Sequence, residues 1–331
     1  MLLSLGVTQA AIIGAALEAV RQGTDAWLVT IVEITGSLPR PLGSMMVYSN
    51  GQTTGSVSGG CVEECLVERL QLGEFPAGTA RLTKYGVDAD DNERYGLPCG
   101  GKLTLLVEAL SAGDESWLWQ LHESLEAREF AERAIQIEPY GCVVKLASMT
   151  NFPAVEWSHS QGTHRLGPEH RLVLIGAGLL AETLSALALQ MEYQIVVLDP
   201  RSDKVDEWRG PDVSVQILTS TKQLSTYADA HTSLITLTHD RDIDDDALFA
   251  AADMPYAFIG ALGSRRTSAN RLTRLQARGV NEEALARIHA PVGIDIGSKT
   301  PMEIAVSILG QLTQRKRGAM SNSHSVCLNV A

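Results

Sequence analysis

From Arg171 onward the chain alternates short apolar runs with helical segments, and that alternation restricts the fold more than any other feature. The runs at 172–175, 195–198, 213–218, 234–237, 257–259 and 287–290 read as strands. Strands separated by helices cannot close as hairpins, so the crossovers lay them side by side and parallel. The first run leads into Gly176-Ala177-Gly178-Leu179-Leu180-Ala181, where a helix begins. Glycines at that turn let a pyrophosphate approach the backbone at a helix N-terminus. Asp199 closes the next strand, where a carboxylate can accept hydrogen bonds from a ribose. The expected fold class is therefore α/β, with a Rossmann-like C-terminal domain built on a parallel sheet. In it Gly176, Gly178 and Asp199 are candidates for cofactor binding. The bland reading is that the glycines only permit helix–sheet packing, and such a unit does not by itself establish nicotinamide chemistry.

The preceding half is mixed. Strands are expected at 26–34, 45–48 and 52–57, the last two around Asn50-Gly51, a pair suited to a hairpin turn. A helix is expected over 62–70, an exposed acidic loop over 87–94, a strand over 102–108, one long helix over 114–134 and a strand over 142–147. The stretch 158–170 lacks periodicity and marks the junction. The expected domains are an N-terminal mixed α+β domain, 1–160, a C-terminal domain, 161–318, and a flexible polar tail, 319–331.

With 331 residues, 45% of them hydrophobic, the chain can bury two cores. Its net charge of -12 argues against nucleic acid as a partner, which needs basic surface to displace counterions. It leaves room for a local basic pocket that holds a phosphorylated small molecule. The apolar opening has no basic flank or cleavage site and reads as an amphipathic helix, not a signal peptide. No stretch approaches a bilayer span, so no membrane partner is expected. Five widely spaced cysteines do not form a secreted disulfide framework, and a cytoplasmic location is expected.

Several segments carry candidate ligand contacts. Thr236-Leu237-Thr238-His239-Asp240 follows a strand at the edge where open α/β sheets bind ligands. His239 is placed to donate to a phosphate, although a His-Asp pair also suits a plain turn. In 260–267, Gly263 precedes Ser264, a suitable N-cap, and Arg265 and Arg266 stand where an anion would dock. The alternative is a solvated basic helix start. In 291–303, Thr300, Pro301 and Glu303 fit a capping box, and Gly293 and Gly297 allow a close loop from which Asp295 or Lys299 faces a ligand. In 33–45 a turn stiffened by Pro39 and Pro41, with glycines at 36 and 43, carries Arg40. That side chain either reaches an anion or pairs with a carboxylate such as Glu63.

Two thiols sit beside glycine pairs. Cys61 follows Gly59-Gly60 in 55–63, and Cys99 precedes Gly100-Gly101. The backbone there, with Ser58, Gly59 and Gly60, can approach a ligand closely. Cys61 also opens a helix, whose dipole lowers a thiol pKa, so it can reach a soft metal or an activated sulfur. The bland reading is a pair of small buried thiols. Neither has partners at zinc-ligand spacing. Cys65, Cys142 and Cys327 read as structural or incidental.

Taken in order, GSLPRPLGSMMV, GSVSGGCVEE, LPCGG, GAGLLAE with VVLDPR, LTHD, FIGALGSRRT and RIHAPVGIDIGSKTPMEIAVSILG resemble the XdhC/CoxI family, the xanthine dehydrogenase accessory proteins. The resemblance spans nearly the whole chain. One departure is Leu179, where the family pattern often has His. The resemblance implies a non-catalytic chaperone that binds the molybdenum cofactor, a pterin dithiolene in some enzymes carried as a dinucleotide. It implies protection and sulfuration of that cofactor and its insertion into a client molybdenum hydroxylase. A cysteine desulfurase, a cofactor nucleotidyltransferase and a second copy of the chain are the other implied partners. Arg40, Arg265 and Arg266 would neutralise phosphate, and Cys61 would touch the molybdenum or its sulfido group, in a cleft shared by the two halves. The rivals are an NAD(P)-dependent oxidoreductase using His239, a sulfurtransferase acting through a Cys61 persulfide, and a scaffold that only recruits the target enzyme.

Overall fold

The computed structural model describes residues 7–36, 38–86, 101–147 and 154–325, with side chains as far as 316 except that of Cys61. Cys99 and the expected loop at 87–94 lie outside the described residues. The chain divides into two compact units, Met1–Pro168 and Glu169–Ala331. No helix among the described residues is long and apolar enough to cross a membrane.

The N-terminal unit begins with helix α1 (Gln9–Arg21), capped by Thr8, whose hydroxyl accepts from Ala11 N–H. Its five-stranded sheet has β1 (Ala26–Thr35), β2 (Met45–Ser49), β3 (Gln52–Gly55), β4 (Thr79–Tyr85) and β5 (Lys102–Ala109) in the order β3-β2-β1-β5-β4. Every pairing is antiparallel. Asn50 and Gly51 both have positive φ, 51° and 74°, as a tight two-residue hairpin requires. The sheet is buried on both faces. Leu28, Met45 and Val47 pack under α1 and α3 (Glu115–Glu126), while Val29, Ile31 and Met46 pack under α2 (Cys61–Gln71). A second antiparallel sheet, β7-β6-β9-β8, comprises β6 (Ala131–Gln136), β7 (Gly141–Leu146), β8 (Val155–Ser158) and β9 (Gln161–Leu166). The two sheets are tied by Arg133 of β6, 0% exposed, which reaches Glu108 of β5 at 2.9 Å and Thr30 of β1 at 2.8 Å.

Three expectations are corrected here. The single helix expected over 114–134 stops at Glu126; Arg128 takes φ 59° and the chain continues as β6. The aperiodic junction at 158–170 is a hairpin, turned at His159 with φ 54°, so the expected boundary at 160/161 falls inside the β8–β9 hairpin rather than at Pro168. The tail expected from 319 is helical through Ser325.

The C-terminal unit holds six parallel strands: β10 (Arg171–Ile175), β11 (Gln194–Asp199), β12 (Ser214–Ile217), β13 (Thr232–Thr236), β14 (Phe258–Ala261) and β15 (Ile288–His289). They run in the order β12-β11-β10-β13-β14-β15. Counted within the unit this is 3-2-1-4-5-6, the doubly wound order with its switch point between the first and fourth strands. Helices α4 (Leu179–Gln190) and α9 (Pro301–Ser325) cover one face. Helices α6 (Arg241–Ala251), α7 (Arg265–Ala277) and α8 (Glu282–Ala286) cover the other. A short α5 (Ser202–Asp206) links β11 to β12. All five loops that leave the carboxyl ends of β10, β11, β13, β14 and β15 therefore emerge at one edge.

Candidate functional site

At the switch point the β10 strand ends in the glycine turn. Gly176 has φ 116°, and a Cβ there would meet Thr238 at 3.0 Å, so the fold itself requires glycine. Gly178 differs. It is the N-cap of α4 with φ -107°, open to any residue, and a Cβ added there meets nothing within 4 Å. The space above Gly178 is open, and nothing within the protein demands a missing side chain at that place.

Asp199 does not wait for a ribose, as the sequence suggests. It is 0% exposed and its oxygens are filled. Oδ2 accepts from Ala177 N–H at 2.9 Å and from Arg201 Nη2 at 2.7 Å; Oδ1 accepts from Arg201 N–H at 3.0 Å and Arg201 Nε at 2.9 Å. Burial alone would raise its pKa, but the hydrogen bonds from Arg201 and Ala177 outweigh burial and hold the carboxyl below its usual range. Asp199 therefore clamps the glycine turn to the end of β11.

On the other side of the turn, His239 stands exposed with φ 60°. It lines a depression of about 590 Å³ together with Gly263, Ser264, Arg266, Thr267 and Asn270. Four residues singled out by sequence, His239, Gly263, Ser264 and Arg266, thus share one surface. Ser264 caps α7, its hydroxyl accepting from Thr267 N–H at 3.1 Å. Arg266 has no ion-pair or hydrogen-bond partner among the described residues, which leaves its fork available to an anion. Arg265 is committed elsewhere: its Nη2 lies 2.9 Å from Asp295, both side chains well exposed. Asp295 thus faces an arginine of the protein. Lys299 donates its backbone N–H to Glu303, which also accepts from Thr300 N–H, completing the expected cap of α9. Gly293 has φ 104° and a Cβ there would collide with Ser307, so it serves the packing of this loop on α9.

Sequence reasoning missed what holds these loops. Arg271 of α7, 3% exposed, donates to Asp244 at 3.0 Å, to Asp245 at 3.1 Å and to the Leu262 carbonyl at 2.8 Å. Asp244 in turn accepts from the Thr238 hydroxyl at 2.7 Å. One buried network therefore joins the loop that carries His239 to the loop that carries Gly263. Burial pushes the Asp244 carboxyl up, against the pull of the Thr238 hydroxyl and Arg271.

In the N-terminal unit the glycine loop faces inward. Glu63, the third residue of α2, receives Val57 N–H at 3.0 Å, Ser58 N–H at 2.7 Å and Gly59 N–H at 2.9 Å on one oxygen, and Gly60 N–H at 3.0 Å on the other. The hydroxyls of Ser56, at 2.8 Å, and Ser58 complete the shell. The N–H groups of Ser58, Gly59 and Gly60, expected to cradle a ligand, already surround an internal carboxylate. Burial raises the Glu63 pKa, but the Ser58 hydroxyl and the backbone N–H groups overcome it and bring the value down to about 2. Arg40 joins the same neighbourhood through Nε, 3.3 Å from the Ser56 carbonyl. Cys61 is the first residue of α2. The three-residue step from Gly60, the N-cap, to Glu63 is the capping-box spacing, the one sequence signal that points to this role.

The doubly wound sheet and the open glycine turn define a Rossmann-type ligand-binding unit joined to an α+β unit. Residues 172–312 match the family model described as XdhC Rossmann domain, and residues 19–86 match the model described as XdhC and CoxI family. The chain is 32% identical over 302 residues to the Escherichia coli (strain K12) protein named molybdenum cofactor insertion chaperone PaoD, covering 90% of this chain and 85% of that protein. It is 26% identical to a Bacillus subtilis (strain 168) protein whose name makes it a probable component of xanthine dehydrogenase, over 89% of this chain and 95% of that one. A crystal structure described as a xanthine dehydrogenase from Bacillus halodurans has the same fold, with TM-score 0.72 and 24% identity, covering 92% of this chain and 96% of the other. The chain belongs to the XdhC and CoxI family.

Proposed function

We propose that this protein is a carrier, not a catalyst, that binds the molybdenum cofactor and inserts it into a xanthine dehydrogenase-type enzyme. The likeness to the insertion chaperone of Escherichia coli supports the cargo, and the likeness to the Bacillus subtilis protein supports the kind of client. The observation that carries the reading is Gly178: an ordinary backbone conformation, a helix N-terminus and open space where a side chain would stand. A pyrophosphate or phosphate needs that arrangement, since backbone N–H groups point at the anion and any Cβ would stand in its way. Arg266 supplies an uncommitted cation and His239 a donor on the same edge. Phosphorylated pterin, in the dinucleotide or the plain form, fits that chemistry.

In the N-terminal unit, Glu63 fixes the loop that presents Cys61, the residue proposed to meet the metal or its sulfido group while the cofactor is sulfurated. Arg40 belongs to the same surface through its contact with that loop.

The test is retention of cofactor. Wild-type protein and a Gly178→Leu variant are loaded with released cofactor, desalted, oxidised with acid and iodine, and assayed for fluorescent pterin. Wild type is expected to retain the pterin, and Gly178→Leu to hold it at least about tenfold more weakly while staying folded, with no more than the small fall in melting temperature that a poorer N-cap brings, because a Cβ at this place meets no protein atom. Equal retention would reject the placement at Gly178. Absence of pterin on the wild type would reject the carrier reading.

A further inference from the structure

We infer that Arg201 sets ligand specificity at the sheet edge, by withdrawing Asp199 from any ribose diol and presenting a guanidinium to a phosphate ester instead. The inference rests on the reading that the ligand sits on the Gly176–Gly178 turn.

The argument begins with acceptor capacity. A carboxylate offers about four lone-pair positions. Asp199 receives four donors: Ala177 N–H, Arg201 N–H, Arg201 Nε and Arg201 Nη2, all between 2.7 and 3.0 Å. It is also 0% exposed. A dinucleotide that reads its ribose through the acid at this strand end needs free lone pairs for two hydroxyl donors. None is left.

Arg201 contributes three of those donors, so Arg201 is the group that closes the acid. It is also held flat by them. Its remaining terminal nitrogen, Nη1, has no hydrogen-bond partner among the described residues, and its side chain is 35% exposed. The guanidinium lies one carboxylate oxygen away from Ala177 N–H, in the middle of the glycine turn, since Oδ2 of Asp199 is shared by both. An anion over Gly178 therefore meets a guanidinium edge where a ribose would have met a carboxylate. Recognition of a phosphate ester here replaces recognition of a diol.

NAD+ and NADP+ are the probes, because they share a pyrophosphate and differ only in the 2′-phosphate. Binding is measured by calorimetry with wild type, Arg201→Ala and Arg201→Lys. Wild type is expected to favour NADP+ by at least about tenfold, and Arg201→Ala to lose that preference as Asp199 reopens. If neither nucleotide binds wild type measurably, a gain of NAD+ binding in Arg201→Ala supports the inference and its absence overturns it. Equal or tighter binding of NAD+ by wild type, or a preference that persists in Arg201→Ala, also overturns it. Should Arg201→Ala fail to fold, Arg201→Lys decides, since an ammonium keeps the charge but cannot fill both oxygens in the plane. Pterin retention is measured on the same wild-type preparation. Absence of the NADP+ preference in wild type with pterin retained counts against Arg201 alone, whereas absence of pterin counts against the carrier reading.

Discussion

An Arg271→Leu variant is expected to lose about 3–5 kcal/mol of stability in the C-terminal unit, a fall in melting temperature on the order of 10 °C. The reason is Asp244, which would lose its cationic partner, and Asp245, which would keep only Arg274. Asp244 is 1% and Asp245 5% exposed, and Arg271 reaches both. Removing one partner of a buried pair costs more than the pair contributes, because the remaining charge keeps its desolvation penalty without compensation. Arg274→Leu provides the contrast: among the described residues the Arg274 side chain pairs only with Asp245, at 2.6 Å, and is 34% exposed, so about 1 kcal/mol or less is expected.

The Arg271 deficit has a characteristic pH dependence. Burial already raises the Asp244 pKa, and Arg271 opposes the rise. Without Arg271 the folded-state value climbs further, so the folded variant binds a proton more readily than its unfolded chain. A raised carboxyl pKa makes ionisation costly in the fold, and the penalty fades as acid protonates the group. The difference in melting temperature between wild type and Arg271→Leu is therefore expected to shrink as pH falls from 7 toward 5. A constant difference, or one that widens, would show that Asp244 is not the stranded group. The same substitution frees the Leu262 carbonyl and breaks the link from that loop to Asp244, the residue that holds Thr238, so cofactor retention should fall with stability.

What could be read ahead of the structure divides along physical lines. The parallel sheet was legible because fully buried strands demand unbroken apolar runs, and their crossovers demand helices; β10 to β15 occupy the expected places. Asn50-Gly51 was legible because positive φ is inexpensive there. Arg128 and His159 carry no such mark. Both adopt positive φ with an ordinary side chain, so the helix expected over 114–134 and the irregular junction over 158–170 concealed β6 and the β8–β9 hairpin. The stretch after Glu126 is rich in Ala, Glu and Arg, good helix formers, and local propensity favoured continuation. At the site, the loops were legible and their allegiance was not. Asp199 and Glu63 lie where the motifs place them, yet each commits its oxygens to neighbours in the chain, Arg201 and residues 56–60, with Ala177 N–H the one long-range donor that either receives among the described residues. Arg201 stands two residues past Asp199, so the pairing was within reach of the sequence, whereas the link from Arg271 to Asp244 spans 27 residues and depends on α7 crossing α6.

The acid sensitivity of the N-terminal unit is expected to depend in large part on Glu63, with a further contribution from Glu132, whose carboxyl Lys145 and Arg165 also hold below its usual range. Glu63 is brought from the ordinary 4.5 to about 2 by hydrogen bonds that exist only in the folded loop. A folded-state pKa below the unfolded value gives stability that is fully present above about pH 5 and is lost as pH falls toward 2. The shift corresponds to at most about 3 kcal/mol. Glu63→Gln removes the titration but keeps one acceptor oxygen, so its loss at neutral pH should be moderate and its stability flatter between pH 5 and 3 than that of wild type. Glu63→Ala leaves Val57, Ser58, Gly59 and Gly60 N–H without their acceptor and should lose on the order of 3 kcal/mol at pH 7. Chemical denaturation at a series of pH values, followed by tryptophan fluorescence, measures all three, since four of the five tryptophans, Trp27, Trp117, Trp119 and Trp157, belong to the N-terminal unit. Parallel curves for wild type and Glu63→Gln below pH 5 would mean that the loop closes without help from the ionised carboxylate, and the account of how residues 56–60 are held beside Cys61 would fail.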